Sequence, residues 1–308
     1  LTWEKTDQFD AGIDFSFFNS VLTGSLDYYH KKTSDLLWEI SVPSYIGQST
    51  QLQNLGSLSN QGVELSLNAS LINKKDFQWD MNFNISTNRS KVLSLGPDQE
   101  KPVGEHWGGY YSSILKVGSP VGLFYGQVYE GVLTQQDIDA GNLSARPGDP
   151  KFKNIPDDPN NSTVIGNANP DFFGGLGTTV AYKGISLNAF FQYSVGNDVM
   201  NLNSAYFLPG NANVNCYREL AEKMWTPENP DTDVARPGNS YIYSVDSRFV
   251  ENGSFLRLSS LTLAYDLPRN LLQYIGLASA RVYATGNNLF NICNYRGYDP
   301  EVSLYSTS

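Results

Sequence analysis

Gly62–Ser86 reads GVELSLNASLINKKDFQWDMNFNIS. In its first half Val63, Leu65, Leu67, Ala69 and Leu71 alternate with Glu64, Ser66, Asn68 and Ser70. In its second half Phe77, Trp79, Met81, Phe83 and Ile85 alternate with Gln78, Asp80, Asn82, Asn84 and Ser86. Successive side chains on a strand point to opposite faces, so each half predicts a strand with one apolar and one polar face. Asn73-Lys74-Lys75-Asp76 between them predicts a tight, charged turn. Each strand runs to about ten residues, against the five or six usual in globular sheets, a length suited to crossing a bilayer at a tilt.

The pattern recurs outward from this hairpin. Upstream, Gln8–Phe17 sets Ile13, Phe15 and Phe17 against Gly12, Asp14 and Ser16. A turn at Phe18-Asn19-Ser20 leads into Val21–Lys31, where Leu22, Leu26 and Tyr28 oppose Thr23, Ser25 and Asp27. A long polar connection is expected from there to about Ser59. Downstream, the alternation dissolves between Lys91 and Asn169, then returns at Phe173–Tyr182 and, after Lys183-Gly184, at Ile185–Val195. A second long loop is expected over Asn201–Glu251, with a short helix at Tyr217–Trp225 stopped before Pro227. In Ser254–Leu267 the parity slips between Leu258 and Leu261, which predicts a bulge near Ser259-Ser260. Arg281–Phe290 is the last strand, reached through a connector at Pro268–Ala280.

About eight strands result, in hairpins whose connections alternate between short and long. This is the signature of an antiparallel transmembrane β-barrel, all-β, with short periplasmic turns and long extracellular loops. Aromatics near strand ends (Phe15, Phe17, Tyr28, Phe77, Trp79 and Tyr182) suit an interfacial girdle. The runner-up is a soluble carbohydrate-binding β-sandwich, in which the apolar faces meet each other. A passive porin-type barrel is the third reading.

Composition narrows the classes. The 308 residues carry 13% aromatics and a net charge of −10, which disfavours a nucleic-acid partner. No apolar run is long enough for a transmembrane helix, which leaves a barrel open because its membrane signal lies in alternation. The two cysteines, Cys216 and Cys293, form no CxxC and suggest neither a disulfide framework nor a zinc site. No GxSxG, HExxH or phosphate loop is present, and His30 and His106 lack a nucleophile partner, so no catalytic residue is assigned. The chain opens directly on strand-like sequence, LTWEKTDQFDAGIDF, so it is expected to lack its natural N-terminus.

An ordered set of stretches then becomes informative: LTWEKTDQFDAGIDFSFFNSVLTGSLDYYHKKTSDLL, NLGSLSNQGVELSL, FQWDMNFNISTNRSKVLSL, VGSPVGLFYGQVYEGV, PGDPKF, IGNANPDFFGGLGTTVAYKGISL, MWTPENP, ENGSFLRLSSLTLAYDLP and RVYATGNNLFNICNYRGYDPEV. In this order they resemble the C-terminal half of the barrel of SusC/RagA-type TonB-dependent outer-membrane transporters. The resemblance implies that residues 1–308 are the C-terminal portion of a barrel of 22 strands, without the plug domain and the final strand. It implies an outer-membrane location, energy from the TonB complex through a missing N-terminal region, a SusD-like lipoprotein lid, and import of glycans or peptides. Where many members carry a calcium-like loop after PGDPKF, this chain has KNIPDDPNNSTVIG, without the glycine such a bend needs. No cofactor is therefore expected; calcium at Asp149, Asp157 and Asp158 is the one metal site considered.

Binding residues are sought among the loop aromatics, whose rings stack on sugar C–H faces: Trp107, Tyr110 and Tyr111 in the first long loop, Tyr206, Tyr241 and Tyr243 in the second. The bland reading of each is loop packing or contact with the lid. Asp14, Asp27, Glu64, Asp80 and Asn82 are expected to face the lumen, hydrating it or contacting the plug.

Overall fold

The computed structural model describes residues 1–41, 50–105, 110–153, 161–208, 210, 214–238, 244–274 and 276–301. Sixteen strands occur among them. They are β1 (Lys5–Phe17), β2 (Leu22–Ser41), β3 (Thr50–Lys74), β4 (Phe77–Leu95), β5 (Glu100–Glu105), β6 (Tyr111–Lys116), β7 (Leu123–Gly126) and β8 (Tyr129–Val132). Then come β9 (Pro150–Phe152), β10 (Thr163–Asn167), β11 (Phe172–Tyr182), β12 (Ile185–Val195), β13 (Asp198–Met200), β14 (Val250–Asn252), β15 (Phe255–Asp266) and β16 (Arg281–Cys293). The helices are short: α1 (Gln135–Gly141), α2 (Arg218–Lys223) and α3 (Arg269–Gln273). No helix among the described residues is long and apolar enough to cross a membrane.

The chain divides into two units. The first comprises Leu1–Leu93, Asn169–Asn197 and Asn252–Ser308. It is one eight-stranded sheet, ordered β1-β2-β3-β4-β11-β12-β15-β16, and every pairing with a described register is antiparallel. Register follows the alternation. Ile13, Leu26 and Leu65 lie opposite one another across β1, β2 and β3, as do Phe83, Leu176, Phe191 and Leu258 across β4, β11, β12 and β15. Much of this apolar row is exposed among the described residues. On interior strands Val63 is 42%, Leu187 41% and Leu263 54% exposed. A sandwich would bury these side chains; a barrel wall turns them to lipid.

The strand ends explain the turns. Lys75-Asp76 and Lys183-Gly184 each join two long strands through two residues. Lys183 and Gly184 have φ of 47° and 88°, the left-handed pair of a type I′ turn, whose twist matches the strands it joins. Phe18, Asn19 and Ser20 all have positive φ in the β1–β2 turn. The β15–β16 connector, at the same end, is longer and contains α3. Aromatics gather beside these turns: Phe15 and Phe17 lie 5.4 Å apart and Phe77 meets Tyr182 edge-on at 6.3 Å. Tyr28 departs from the girdle expectation. It sits well inside β2, between Ala11 and Val63.

Two further expectations are corrected. Residues 32–41 and 50–58 of the polar stretch before Ser59 are strand, because β2 and β3 stay paired from Leu22↔Ala69 to Ser41↔Thr50. Beyond the lipid-facing stretch no apolar row is required, so alternation fades while ladder hydrogen bonds continue. A bulge at Asp35 (φ 59°) accommodates the change; its carbonyl accepts from Asn54 Nδ2 at 2.7 Å and its carboxylate meets Lys5 at 3.1 Å. The bulge expected at Ser259-Ser260 is present, with Ser259 the extra residue between Phe191↔Leu258 and Phe190↔Ser260.

The second correction concerns the long loops. Ser94–Ala168 and Asp198–Glu251 fold as the second unit, with a four-stranded sheet ordered β10-β7-β6-β5 and the pairs β8-β9 and β13-β14. It has its own core, including Ile114, Leu133, Phe152, Val245 and Phe249. At its centre Asp246 is fully buried and holds Arg248 through both carboxylate oxygens, at 2.9 and 2.7 Å. The guanidinium lies 4.4 Å from the Tyr129 ring centre. Tyr129 donates its hydroxyl to the Asp233 carbonyl at 2.6 Å, and burial pushes its pKa up to about 12. α2 lies within the expected Tyr217–Trp225 helix.

Candidate functional site: the polar face of the sheet

Opposite the apolar row, the same pleat sets a polar row on the other face. Gly12, Asp27 and Glu64 are opposite one another on β1, β2 and β3, one step from Asp14, Ser25 and Ser66. The structure thus brings Asp14, Asp27 and Glu64 together as one carboxylate patch. Asp80 and Asn82 share this face on β4. The link is Tyr29, which lies over Gly62 of β3 and donates its hydroxyl to Asn88 Oδ1 of β4 at 3.0 Å. A Cβ on residue 62 would meet the Tyr29 ring and the Thr87 carbonyl, so glycine permits this crossing.

Across β11 to β16 the polar face is a belt of hydroxyls and amides. Asp80, Thr179, Asn188, Thr262 and Thr285 stand in line. Asn188 Nδ2 donates to Thr179 Oγ1 at 2.7 Å, and the hydroxyls of Thr262 and Thr285 are 3.0 Å apart. Asn82, Gly177, Phe190, Ser260 and Asn287 form the neighbouring line. Phe190 is an aromatic on the polar side, its ring over Gly175.

The strongest electrostatic feature of this face escaped the alternation analysis. Gln192 and Arg257 are direct partners on β12 and β15. After β16 the chain returns over them. Arg257 Nη2 contacts Asp299 Oδ1 at 2.6 Å, and its Nη1 pairs with Glu301. Gln192 Nε2 donates to Glu301 Oε1 at 3.2 Å, and Asp299 Oδ1 accepts the Glu301 N–H at 2.9 Å. Parity alone places Gln192 and Arg257 on the polar row. Nothing in the pattern says that residues 299 and 301 fold back to meet them.

The loop aromatics are spread through the second unit. Tyr110 is buried, Tyr111 is half-buried at the start of β6, and Tyr206 is 43% exposed in the 3-10 turn Leu202–Phe207. Trp107, Tyr241 and Tyr243 lie outside the described residues. Asp149 is engaged by protein groups: one oxygen pairs with Arg236 and the other accepts the Arg146 N–H at 2.9 Å. Asp157 and Asp158 lie outside the described residues, and no cluster of three or more His, Cys, Asp or Glu placed to hold a metal occurs among those that are described. Cys216 and Cys293 are both free thiols. Two distant motifs meet in this unit: Trp225 of MWTPENP packs against Gly148 of PGDPKF, whose carbonyl accepts the Arg236 N–H at 2.8 Å.

Comparison with known proteins agrees with this geometry. The family model described as "TonB dependent receptor-like, beta-barrel" matches residues 1–289. TonB-dependent receptor P3 of Formosa agariphila is 36% identical, over 98% of this chain and 31% of the relative. TonB-dependent receptor SusC of Bacteroides thetaiotaomicron is 32% identical, over 98% of this chain and 30% of the relative. The solved structure of the RagAB peptide transporter matches with a TM-score of 0.82 and 28% identity, over 97% of this chain and 33% of that one. The chain thus spans about a third of the length of the proteins it matches. An eight-stranded antiparallel sheet with an uncovered apolar face, matched along nearly its whole length, assigns this chain to the TonB-dependent receptor-like β-barrel family of the outer membrane.

Proposed function

We propose that the chain is part of an outer-membrane active transporter that imports oligosaccharides or peptides, drawing energy from the TonB complex and working with a SusD-like lipoprotein. The observation that carries this reading is the two-faced sheet. Its apolar row is uncovered on interior strands, and its opposite face is a continuous belt of carboxylates, hydroxyls and amides. Such a belt hydrates a lumen and exchanges hydrogen bonds with sugar hydroxyls or peptide amides passing along it. A protein core on either side of the sheet would leave one of these rows without suitable partners. The second unit, inserted in the chain between β4 and β11 and between β12 and β15, offers its loop residues for contact with a lid and with solute. We infer no catalytic role for any residue; the chemistry of the site is binding and passage.

The test is deletion of the gene encoding the full-length protein, followed by uptake assays with labelled oligosaccharides and labelled peptides. Loss of uptake of one class, restored by the intact gene and abolished by a protonophore, is the expected result. Uptake that survives the protonophore would replace the reading with a passive porin. Recovery of the full-length protein from the aqueous fraction without detergent would replace it with the soluble sandwich.

A further inference from the structure

The turn at residues 294–301 has an unusual attachment to the polar face. Its carboxylates converge on a single cation: Arg257 binds Asp299 through one edge of its guanidinium and Glu301 through another. Gln192, the direct partner of Arg257, adds a hydrogen bond from the strands to the same turn, at Glu301. The burial is asymmetric. The Arg257 side chain is 11% exposed, with its guanidinium 5.1 Å from the Phe255 ring centre, while Asp299 and Glu301 are 47% and 38% exposed. The arginine is therefore the shielded, fixed half of the cluster, anchored on β15, and the carboxylates are the wetted half, anchored on a turn. Direct cross-strand neighbours do not neutralise it, because Gln192 and Asn291 are both neutral. A guanidinium with two N–H edges presented to carboxylates is also what recognises a free carboxylate on a ligand.

We propose that Arg257 is a carboxylate-binding site of the solute-facing wall, that Asp299 and Glu301 are its internal occupants, and that the turn at residues 294–301 is the strap that closes over it. The inference rests on the polar face being the solute-facing one. An incoming carboxylate takes the edge held by Glu301, the strap lifts, and Gln192 is freed to hydrogen-bond the same ligand. Competition with a tethered carboxylate requires free ligand at roughly millimolar concentration or above, the effective concentration a short tether provides.

Hydrogen exchange on the full-length protein in detergent micelles tests this without depending on uptake. The probes are trialanine, with its free carboxylate, and trialanine amide, each at tens of millimolar. For the wild type, trialanine is expected to speed exchange of the amides in 294–301 several-fold while the amide leaves them unchanged. Arg257→Met is expected to raise exchange of the same segment about tenfold with either probe or none, with β12 and β15 still protected. Arg257→Lys, which keeps charge but loses the two-edged fork, should fall between them. Equal effects of the acid and the amide on the wild type would overturn the ligand site. Unchanged exchange of 294–301 in Arg257→Met, or loss of protection spread over β12 and β15, would overturn the strap. Failure of either arm leaves the transporter reading to its own uptake test.

Discussion

Trp79 donates its indole N–H to the hydroxyl of Thr178 at 3.0 Å, on the apolar face of the β4–β11 ladder. Thr178 stands opposite Met81 and one step from the Leu176–Phe83 pair, and its own hydroxyl reaches the Asp80 carbonyl at 3.5 Å. Water can satisfy an indole N–H on a wetted surface; lipid cannot. Thr178→Val keeps the shape and removes the acceptor, so it is expected to destabilise the refolded full-length barrel by about 1–3 kcal/mol. Thr178→Ser should stay close to the wild type. Urea unfolding in lipid vesicles, followed by tryptophan fluorescence, measures both.

Gly174 and Tyr193 make a second lipid-face device. Tyr193 donates its hydroxyl to the Asn84 carbonyl at 2.8 Å, and a Cβ on residue 174 would strike that carbonyl and the Tyr193 hydroxyl. The carbonyl is backbone and has little room to yield. Gly174→Ala is expected to cost about 1–3 kcal/mol as an overpacked contact. The same unfolding assay, compared with Gly276→Ala at an open site, separates packing from loss of glycine freedom.

In the second unit Thr134 and Asp137 form a reciprocal capping box on α1. The Lys151 ammonium, 2.7 Å from Asp137, and then the Thr134 N–H and hydroxyl hold the Asp137 carboxyl well below the usual carboxylate range. A carboxyl depressed in the folded state adds stability that is present above its unfolded pKa and is lost as pH falls through the folded one. The cap is therefore expected to hold unchanged from neutral pH to about pH 4, near the free aspartate value, and to weaken progressively below it. A carboxyl-carbon NMR titration should show Asp137 ionised after exposed aspartates have protonated. Thr134→Ala should cost about 1 kcal/mol in local stability.

Asp149 pairs with Arg236 and accepts the Arg146 N–H, so its carboxylate is satisfied without a metal. Chelation with EDTA is expected to leave the thermal unfolding of the full-length protein unchanged. Arg236→Ala should lower the stability of the second unit by about 1–3 kcal/mol, since it strands a half-buried carboxylate. A melting temperature that falls with EDTA and returns with calcium would support a metal at this loop.

The sheet was legible because its chemistry is written with a period of two. Wherever one face meets lipid and the other water, as in Val63–Leu71 and Phe77–Ile85, each side chain reports its face. Even the slip at Ser259 showed as a change of parity. Past the membrane band that pressure ends, so the outer halves of β2 and β3 were mistaken for loop although their ladder continues through irregularities at Asp35 and Leu55. The second unit was illegible for a related reason. Its strands run three to six residues, too short to display a period, and its centre depends on Tyr129 meeting Asp246 and Arg248, a pair far from it in sequence. The Arg257–Asp299 contact is likewise a meeting of a strand with a turn more than forty residues on, which alternation cannot express.

The assignment of faces is the claim on which the rest stands, and residues 67 and 68 test it most directly. Leu67 lies on the apolar row opposite Gly24, and Asn68 on the polar row opposite Thr23. In the refolded full-length barrel, Leu67→Arg is expected to cost about 2–4 kcal/mol in lipid, because it places a cation against the hydrocarbon. Asn68→Arg should cost far less, because it projects into water. Equal costs for the two substitutions, or a larger one at Asn68, would contradict the account.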